Sequence, residues 1–591
     1  MQNPKESYLD LIKTYSGQLE KIKLKLMQSS MLRLAIFLAA AFAIYFFWSN
    51  SQIVIGIVIA VIILFLILVS RHSNLQYKRD FFQQLIQLNE TELKVLNRQF
   101  HDLPDGENHK NPLHPFSLDI DLFGRGSFYQ YINRSGLKSG ERKLVELLTA
   151  NSISNIEQKQ EAIRELADNL EWRQNYLATA ALVKTTTSSE SIIKWLKNYT
   201  GFAPRMMKWL PNLFSAVSLV LFILMYFDFI PESVLIGWFF LGLIITGIYV
   251  KKVNSLWDNS GKAQSTFEQY YKLMLLLEKH EFKSEYLKAQ QQKIKSEKAN
   301  ASGVIKQFSK MLGTLDQRSN LLVGTFMNAF FLSDLRQVYK IEQWIKTNAD
   351  KVEEWFDVIA FFDSQNSLGN FSFNHPQYTY AKITNTGTTF KATGLAHPLL
   401  DPRKAVTNDF EIDNKQFFII TGANMAGKST FLRTVSLSIV MSNVGLPICA
   451  DSVTYTPIKL ITSMRTSDSL TDDESYFFSE LKRLQFIVNA IKSDTYFIIL
   501  DEILKGTNST DKAIGSRKFI EKLVGSHSTG IIATHDLSLC EAADDLDQVK
   551  NYYFDAQIKD DELFFDYTFK KGICQNMNAS FLLRKMNIID A

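Results

Sequence analysis

Cysteine is nearly missing from this chain of 591 residues: only Cys449, Cys540 and Cys574 occur, far apart and without metal-ligand spacing. That excludes a disulfide framework and a cysteine-based zinc site and fits a reducing compartment, with all three read as packing residues. Net charge is scarce as well. The balance of 65 Lys and Arg against 61 Asp and Glu leaves +4, so nothing global demands a polyanionic partner, and any nucleic-acid surface has to be a local patch. Proline and glycine are sparse over residues 73–105 and 253–350, where Leu, Lys, Glu and Gln dominate and apolar residues recur at three- and four-residue spacing. Those stretches read as long amphipathic helices, with a solvated coiled-coil stalk as the alternative. A chain of this length exceeds one hydrophobic core and predicts roughly three or four domains.

Charge is absent altogether from four runs: Leu34 to Trp48, Ile53 to Val69, Leu213 to Phe227 and Val234 to Val250. Each approaches the length of a membrane span and is extended by flanking apolar residues such as Met31, Leu32, Trp209 and Leu210. Buried core helices are the alternative. Basic residues flank each pair on its outer sides: Lys21, Lys23, Lys25 and Arg33, then Arg71, Lys78 and Arg79; later Arg205 and Lys208, then Lys251 and Lys252. The connectors SNSQ (49–52) and DFIPES (228–233) carry no basic residue. The positive-inside rule predicts two transmembrane helical hairpins whose tips face away from the cytoplasm, with the rest cytosolic. The first hairpin begins too far into the chain to be a cleaved signal.

After about residue 370 the texture changes. Short β-branched and aromatic runs, QFFIITG (416–422), TYFIILDE (495–502) and GIIATHD (530–536), alternate with helical stretches and predict a mainly parallel sheet flanked by helices. The first run opens into Gly422, Gly427, Lys428 and Ser429 in the pattern G-x-x-x-x-G-K-[ST]. Glycines there let backbone N–H groups curl around phosphate oxygens at a helix N-terminus. Lys428 adds a charge on the β- and γ-phosphates, and the Ser429 hydroxyl is a magnesium ligand. The second run ends in Asp501, suited to the metal shell, and Glu502, suited to orient and deprotonate an attacking water. The third places His535 where an imidazole reaches a γ-phosphate. The cofactors implied are ATP and Mg2+, and the three elements describe an ATPase in which two subunits close over the nucleotide.

These residues resemble the MutS ATPases of DNA mismatch repair. TGANMAGKST is similar to that family's phosphate loop, marked by Asn424 and Met425 and continuing into Thr430; LDEILKGTNSTD (500–511) resembles its acidic strand end, and ATHD its histidine switch. SDSLTDDESYFFSEL (467–481) resembles its signature loop, which implies that Ser475 completes the partner subunit's site while Asp501, Glu502 and His535 act in cis. LAHPLL (395–400) and TND (407–409) match the family's entry into the ATPase domain, with His397, Pro398 and Asn408. DIDLFGRGSFYQYINRSGLKSGERKLVELL (119–148) and WFDVIAFFDS (355–364) look like the two ends of its core and lever region. The resemblance covers about two thirds of the chain. It departs from the pattern at Ala396, where an Arg is common, and at Ala405, where an aromatic would stack on adenine; Tyr567 can supply that ring. CQNMNASF (574–581) replaces a Ser-Tyr-Gly segment, the first hairpin occupies the place of the mismatch-reading domain, and no DNA clamp is recognisable.

The expected architecture is an α/β P-loop ATPase domain of the ABC type, MutS-like, preceded by an all-α lever/core region with two transmembrane hairpins. Its boundaries are a cytosolic N-terminal helix (1–30), hairpin one (31–72), helical core (73–208), hairpin two (209–252), helical lever (253–370) and ATPase domain (371–591). The expected function is a multi-pass ATPase of the cytoplasmic (inner) membrane, its catalytic domain in the cytosol. It acts as a homodimer, with DNA as the partner the resemblance implies and a mismatch-repair or recombination role. The alternative is an ATP-driven membrane mechanoenzyme or tether that never binds DNA, since Lys279, Lys283 and Arg318 read as solvated positions rather than a patch.

Overall fold

The computed structural model describes residues 3–182, 188–295, 300–385, 387–423, 425–465, 476–504, 508–559 and 562–575. Two long helices open it, α1 (Pro4–Phe46) and α2 (Ser51–Leu96), packed along one another. Asn3 caps α1 by accepting from the Lys5 N–H, with Pro4 in the first turn, and Asn50 caps α2 through the Ile53 N–H. Neither helix is interrupted at residues 30/31 or 72/73. A second pair follows, α3 (Leu210–Tyr226) and α4 (Glu232–Lys279), and α4 likewise runs unbroken past residue 252. Among the described residues, three segments suffice by length and composition to cross a membrane: Pro4–Phe46, Ser51–Leu96 and Glu232–Asp258. At 17 residues, α3 is shorter.

The region expected to be long amphipathic helices over 253–350 is broken more often than its composition indicates. Beyond α4 come short helices at Glu285–Gln292 and Ala301–Asp316, then an apolar helix α5 (Leu321–Phe331) and the 42-residue α6 (Ser333–Asn374). Lys279 and Lys283 are exposed, as read from sequence. Arg318 is not a solvated position: it pairs with Asp334 at 3.0 Å, its side chain only 15% exposed, and lies over the Trp257 ring.

The helix α6 spans about 63 Å at 1.5 Å per residue and connects the two ends of the molecule; residue 370/371 lies inside it. Its first residues adjoin α5, while its last two turns are buried among the N-terminal helices and the mixed domain. Tyr8 of α1 donates to Asn374 Oδ1 at 2.7 Å. Glu92 of α2 accepts from Asn374 and pairs with Arg134. Inside α6 the buried Asp363 accepts the Gly136 and Leu137 N–H groups at 3.1 and 2.9 Å, and burial pushes its carboxyl up to about 7.

Beyond Asn374 the described residues form two main sheets and a two-stranded antiparallel ribbon, Ala556–Lys559 with Glu562–Phe565. A four-stranded, mostly antiparallel sheet contains Lys382–Ile383, Ser452–Tyr455, Thr388–Leu395 and Asn408–Asp413 in that order. The second has six strands: β1 (Phe417–Gly422), β2 (Lys459–Ser463), β3 (Tyr496–Asp501), β4 (Thr529–Ala533), β5 (Val549–Phe554) and β6 (Lys570–Lys571). Their order is β6-β5-β1-β4-β3-β2, parallel apart from β6. This is the alternating α/β architecture expected from the apolar runs, whose central strands are buried on both faces.

Candidate functional site

Three adjacent parallel strands, β1, β4 and β3, deliver the site from their carboxyl ends, where open α/β sheets bind ligands. At the end of β1 the backbone turns sharply. Gly422 has φ +152°, and a Cβ there would lie 2.5 Å from the Phe554 carbonyl oxygen, so no other residue fits. Gly427 has φ +107° and starts α7 (Lys428–Val444) directly beneath the Tyr567 ring. Met425 has φ +67° with its side chain 77% exposed at the loop's crest.

Lys428 is buried and donates from Nζ to the Gly422 and Ala423 carbonyls at 2.6 and 2.9 Å, which holds its ammonium across the mouth of the loop. Burial lowers its pKa, opposed by the nearby Asp501 carboxylate. Ser429 donates to Asp501 Oδ2 at 2.9 Å, joining the loop to the end of β3. Glu502 follows with φ +53°, and its N–H is held by the Ala533 carbonyl of β4 at 2.8 Å. This kink turns the chain away from the sheet as soon as β3 ends. His535 sits past the end of β4, anchored by Thr534 N–H to the Ile420 carbonyl at 3.0 Å. Burial first, and then the Lys428 charge, lower its pKa, so the imidazole is neutral near pH 7.

The same cavity, about 600 Å³, is lined by Met425, Gly427, Lys428, Ser429, Thr430, Asp501, Glu502, His535, Asn408 and Tyr567. At its far wall Asn408 uses both ends of its amide: Nδ2 donates to the Tyr567 carbonyl at 3.1 Å and Oδ1 accepts from the Phe569 N–H at 2.7 Å. That clamp fixes Tyr567, itself at φ +54°, with its ring 44% exposed over the cavity. Ala405, Val406 and His397 complete this wall. His397 is pushed to about 4 by burial, then by Arg433 and Arg98, and is a neutral wall residue. Asn424 and Ser475 lie outside the described residues, as do 505–507 and the end of the 574–581 segment.

Two features escaped the sequence reading. Lys512, in the helix α8 (Ser509–Val524), reaches Glu502 Oε1 at 3.2 Å; a lysine in a helical first turn carries no signal of that partner. The other is a pair of carboxylates from the helical region. Asp119 accepts the Thr462 hydroxyl and, at 2.9 Å, the Arg465 N–H, while Asp121 pairs with Arg465 at 2.7 Å and with Arg433 of α7 at 3.4 Å. Both the phosphate-loop helix and the strand end leading to residue 466 are thereby tied to the helical region. The Asp-x-Asp spacing was visible, but its partners stand more than 300 residues away.

Residues 418–585 match the family described as MutS domain V, a P-loop ATPase-type domain. Among curated proteins, MutS protein homolog 4 of Homo sapiens is 30% identical over 194 residues, 31% of this chain and 20% of that protein. DNA mismatch repair protein MutS of Chlorobium chlorochromatii is 32% identical over 221 residues, 36% of this chain and 25% of its own length. The protein of the same name from Staphylococcus saprophyticus is 26% identical over 266 residues, 44% of this chain and 29% of the relative. The matched stretch thus spans less than a third of each of these three relatives.

Proposed function

We propose a function that starts from one fact: the carboxy-terminal domain of this chain belongs to the MutS family. On that premise the chain is a membrane-anchored ATPase, binding Mg-ATP in the cavity over the phosphate loop and hydrolysing it. The observation that carries this reading is the Ser429–Asp501 hydrogen bond at 2.9 Å, with Lys428, Glu502 and His535 lining the same cavity. A hydroxyl and a carboxylate side by side are hard oxygen donors of the kind magnesium takes. The glycine-built turn leaves its backbone open to phosphate. A magnesium ion held there supplies charge neutralisation for the phosphates. Lys428 then exchanges its carbonyl partners for phosphate oxygens, Glu502 positions and deprotonates the water, and neutral His535 hydrogen-bonds the terminal phosphate. Tyr567 stacks on the base, with Asn408 fixing its backbone.

In this reading the active unit is a homodimer in which Ser475 reaches the neighbouring copy's nucleotide. The names of the relatives support DNA as the partner and mismatch repair or recombination as the setting. The apolar helices tether the assembly to the cytoplasmic membrane, with the catalytic domain in the cytosol. They also support a second reading, a membrane mechanoenzyme or tether indifferent to DNA.

The test is phosphate release by the full chain in lipid nanodiscs. Glu502→Gln is expected to lower turnover about 10²- to 10⁴-fold while ATP binding persists; unchanged turnover removes the assignment. Stimulation by duplex, mismatched or branched DNA that fades as salt rises supports the first reading, and indifference to all three supports the second.

A further inference from the structure

We infer that helix α5 (Leu321–Phe331) is a lipid-contacting element, an apolar helix that dips partway into the bilayer beside the second hairpin. The inference rests on the reading that α3 and α4 enter a bilayer.

From Ser319 to Ser333 the sequence SNLLVGTFMNAFFLS carries no charge. The charges bracketing it, Arg318 and Asp334, are largely buried and paired with each other at 3.0 Å rather than facing out. Over the first two turns of α5 the large apolar residues are uncovered: Leu321 and Leu322 are 80% and 82% exposed, with Val323, Phe326 and Met327 also exposed. So dense a set on an eleven-residue helix is unusual where water is the neighbour.

The carboxyl end of α5 is joined closely to α3 and α4. A Cβ on Gly242 of α4 would lie 2.0 Å from the Ala329 carbonyl oxygen, so the two backbones touch there, as at small-residue contacts between membrane helices. The Phe330 ring packs 4.8 Å from Phe222 and 5.7 Å from Phe239. The Phe330 carbonyl, in the last turn, accepts from the Ser218 hydroxyl at 2.6 Å, and Ser218 in turn accepts from Trp238 Nε1 at 2.8 Å. A helix-end carbonyl satisfied by a serine within an apolar helix is what an environment without water requires.

The uncovered face of α5 adds to that of the hairpin, where Leu219, Val220 and Ile223 of α3 and Ile236, Phe240 and Ile244 of α4 are exposed. It carries no charged side chain, and α5 packs directly on both helices of the hairpin that enters the bilayer in this reading. Lipid is therefore the occupant its chemistry fits. At about 16 Å, α5 is too short to cross a hydrocarbon core of about 30 Å. Its carboxyl end meets Ser218 and Gly242, near the middle of the apolar runs 213–227 and 234–250, so it dips partway into the bilayer beside the hairpin.

The test places a photoreactive benzoylphenylalanine at Leu322, Leu219 or Leu113 of the full chain in phosphatidylethanolamine and phosphatidylglycerol vesicles. Adducts are identified by mass. Lipid adducts at Leu322 and Leu219, with none at the 84%-exposed Leu113, are expected. Lipid at Leu219 but not at Leu322 overturns the inference and leaves the hairpin standing. A cross-linked second copy at Leu322 in place of lipid also overturns it. Absence of lipid at both positions removes the hairpin reading itself.

Discussion

Two regions of this chain use the same residue types in opposite ways. In strand β1, Phe417, Phe418, Ile419 and Ile420 are all at most 1% exposed, sealed by neighbouring strands and helices. In α1 and α2, Phe37, Phe42, Ile62 and Ile67 are 61%, 70%, 54% and 60% exposed, and in α5 Leu322 reaches 82%. The mixed domain is complete with water around it. The apolar helices are not, since leaving that much hydrocarbon in water costs about 25 cal/mol per Å². The difference teaches what the membrane proposal demands: if the two regions are fitted to different solvents, each can be disabled without the other.

The largest expected effect tests that separation from the apolar side. Ile62→Lys places a charge in the middle of the apolar run 53–69 and is expected to cost about 2.5–3.5 kcal/mol of insertion, read as release of the chain into alkaline carbonate extracts. Leu113→Lys, at a more exposed position near the mixed domain, is expected to leave membrane retention unchanged. Equal retention in both variants breaks the comparison. Next, from the other side, Lys428→Ala removes a charged phosphate contact of about 1.5–3 kcal/mol. Calorimetric titration should show ATP affinity falling about 10- to 100-fold, while carbonate extraction stays as for the native chain.

A smaller effect is expected at the helix joining the two regions. Burial raises the Asp363 carboxyl to about 7, so the folded state binds a proton that the unfolded state releases near pH 4. Stability from this group is full below about 4 and is lost as pH rises to about 7. Asp363→Asn should flatten that slope in denaturant titrations. It should also cost about 1–3 kcal/mol near neutral pH, because one of two backbone N–H groups loses its acceptor. The smallest effect is Asp121→Asn. Its pairs with Arg465 and Arg433 are substantially exposed, so the loss of stability should stay below about 1 kcal/mol. A change in turnover larger than that loss explains would show that the contact transmits between the regions.

The phosphate loop, the acidic strand end and the apolar runs were legible because each depends on residue type at fixed local spacing. Tyr567 was legible as a ring that could stand at the nucleotide site, and the structure adds the Asn408 amide that holds its backbone carbonyl. Helix ends were less legible. A backbone hydrogen-bond ladder does not stop where composition changes, so α2 continues from Val69 through Arg71 and Lys78 to Leu96. Helix α5 was missed because an uncharged helix of eleven residues falls within the length of an ordinary core helix, and only its exposure reveals the difference. Arg318 looked solvated because its partner Asp334 lies on the far side of that helix. The Lys512–Glu502 pair joins a strand end to the following helix, and no spacing rule conveys it.

The uninterrupted run of α6 from Ser333 to Asn374 has a geometric consequence. Its buried end is gripped by Tyr8, Glu92 and the backbone of residues 136–137, and its other end abuts α5. A rod of about 63 Å amplifies angle into distance: a tilt of about 5° at the gripped end carries the far end through about 5 Å. Closure of the catalytic domain by a few degrees would thus arrive at the apolar helices as a displacement as large as one helical turn.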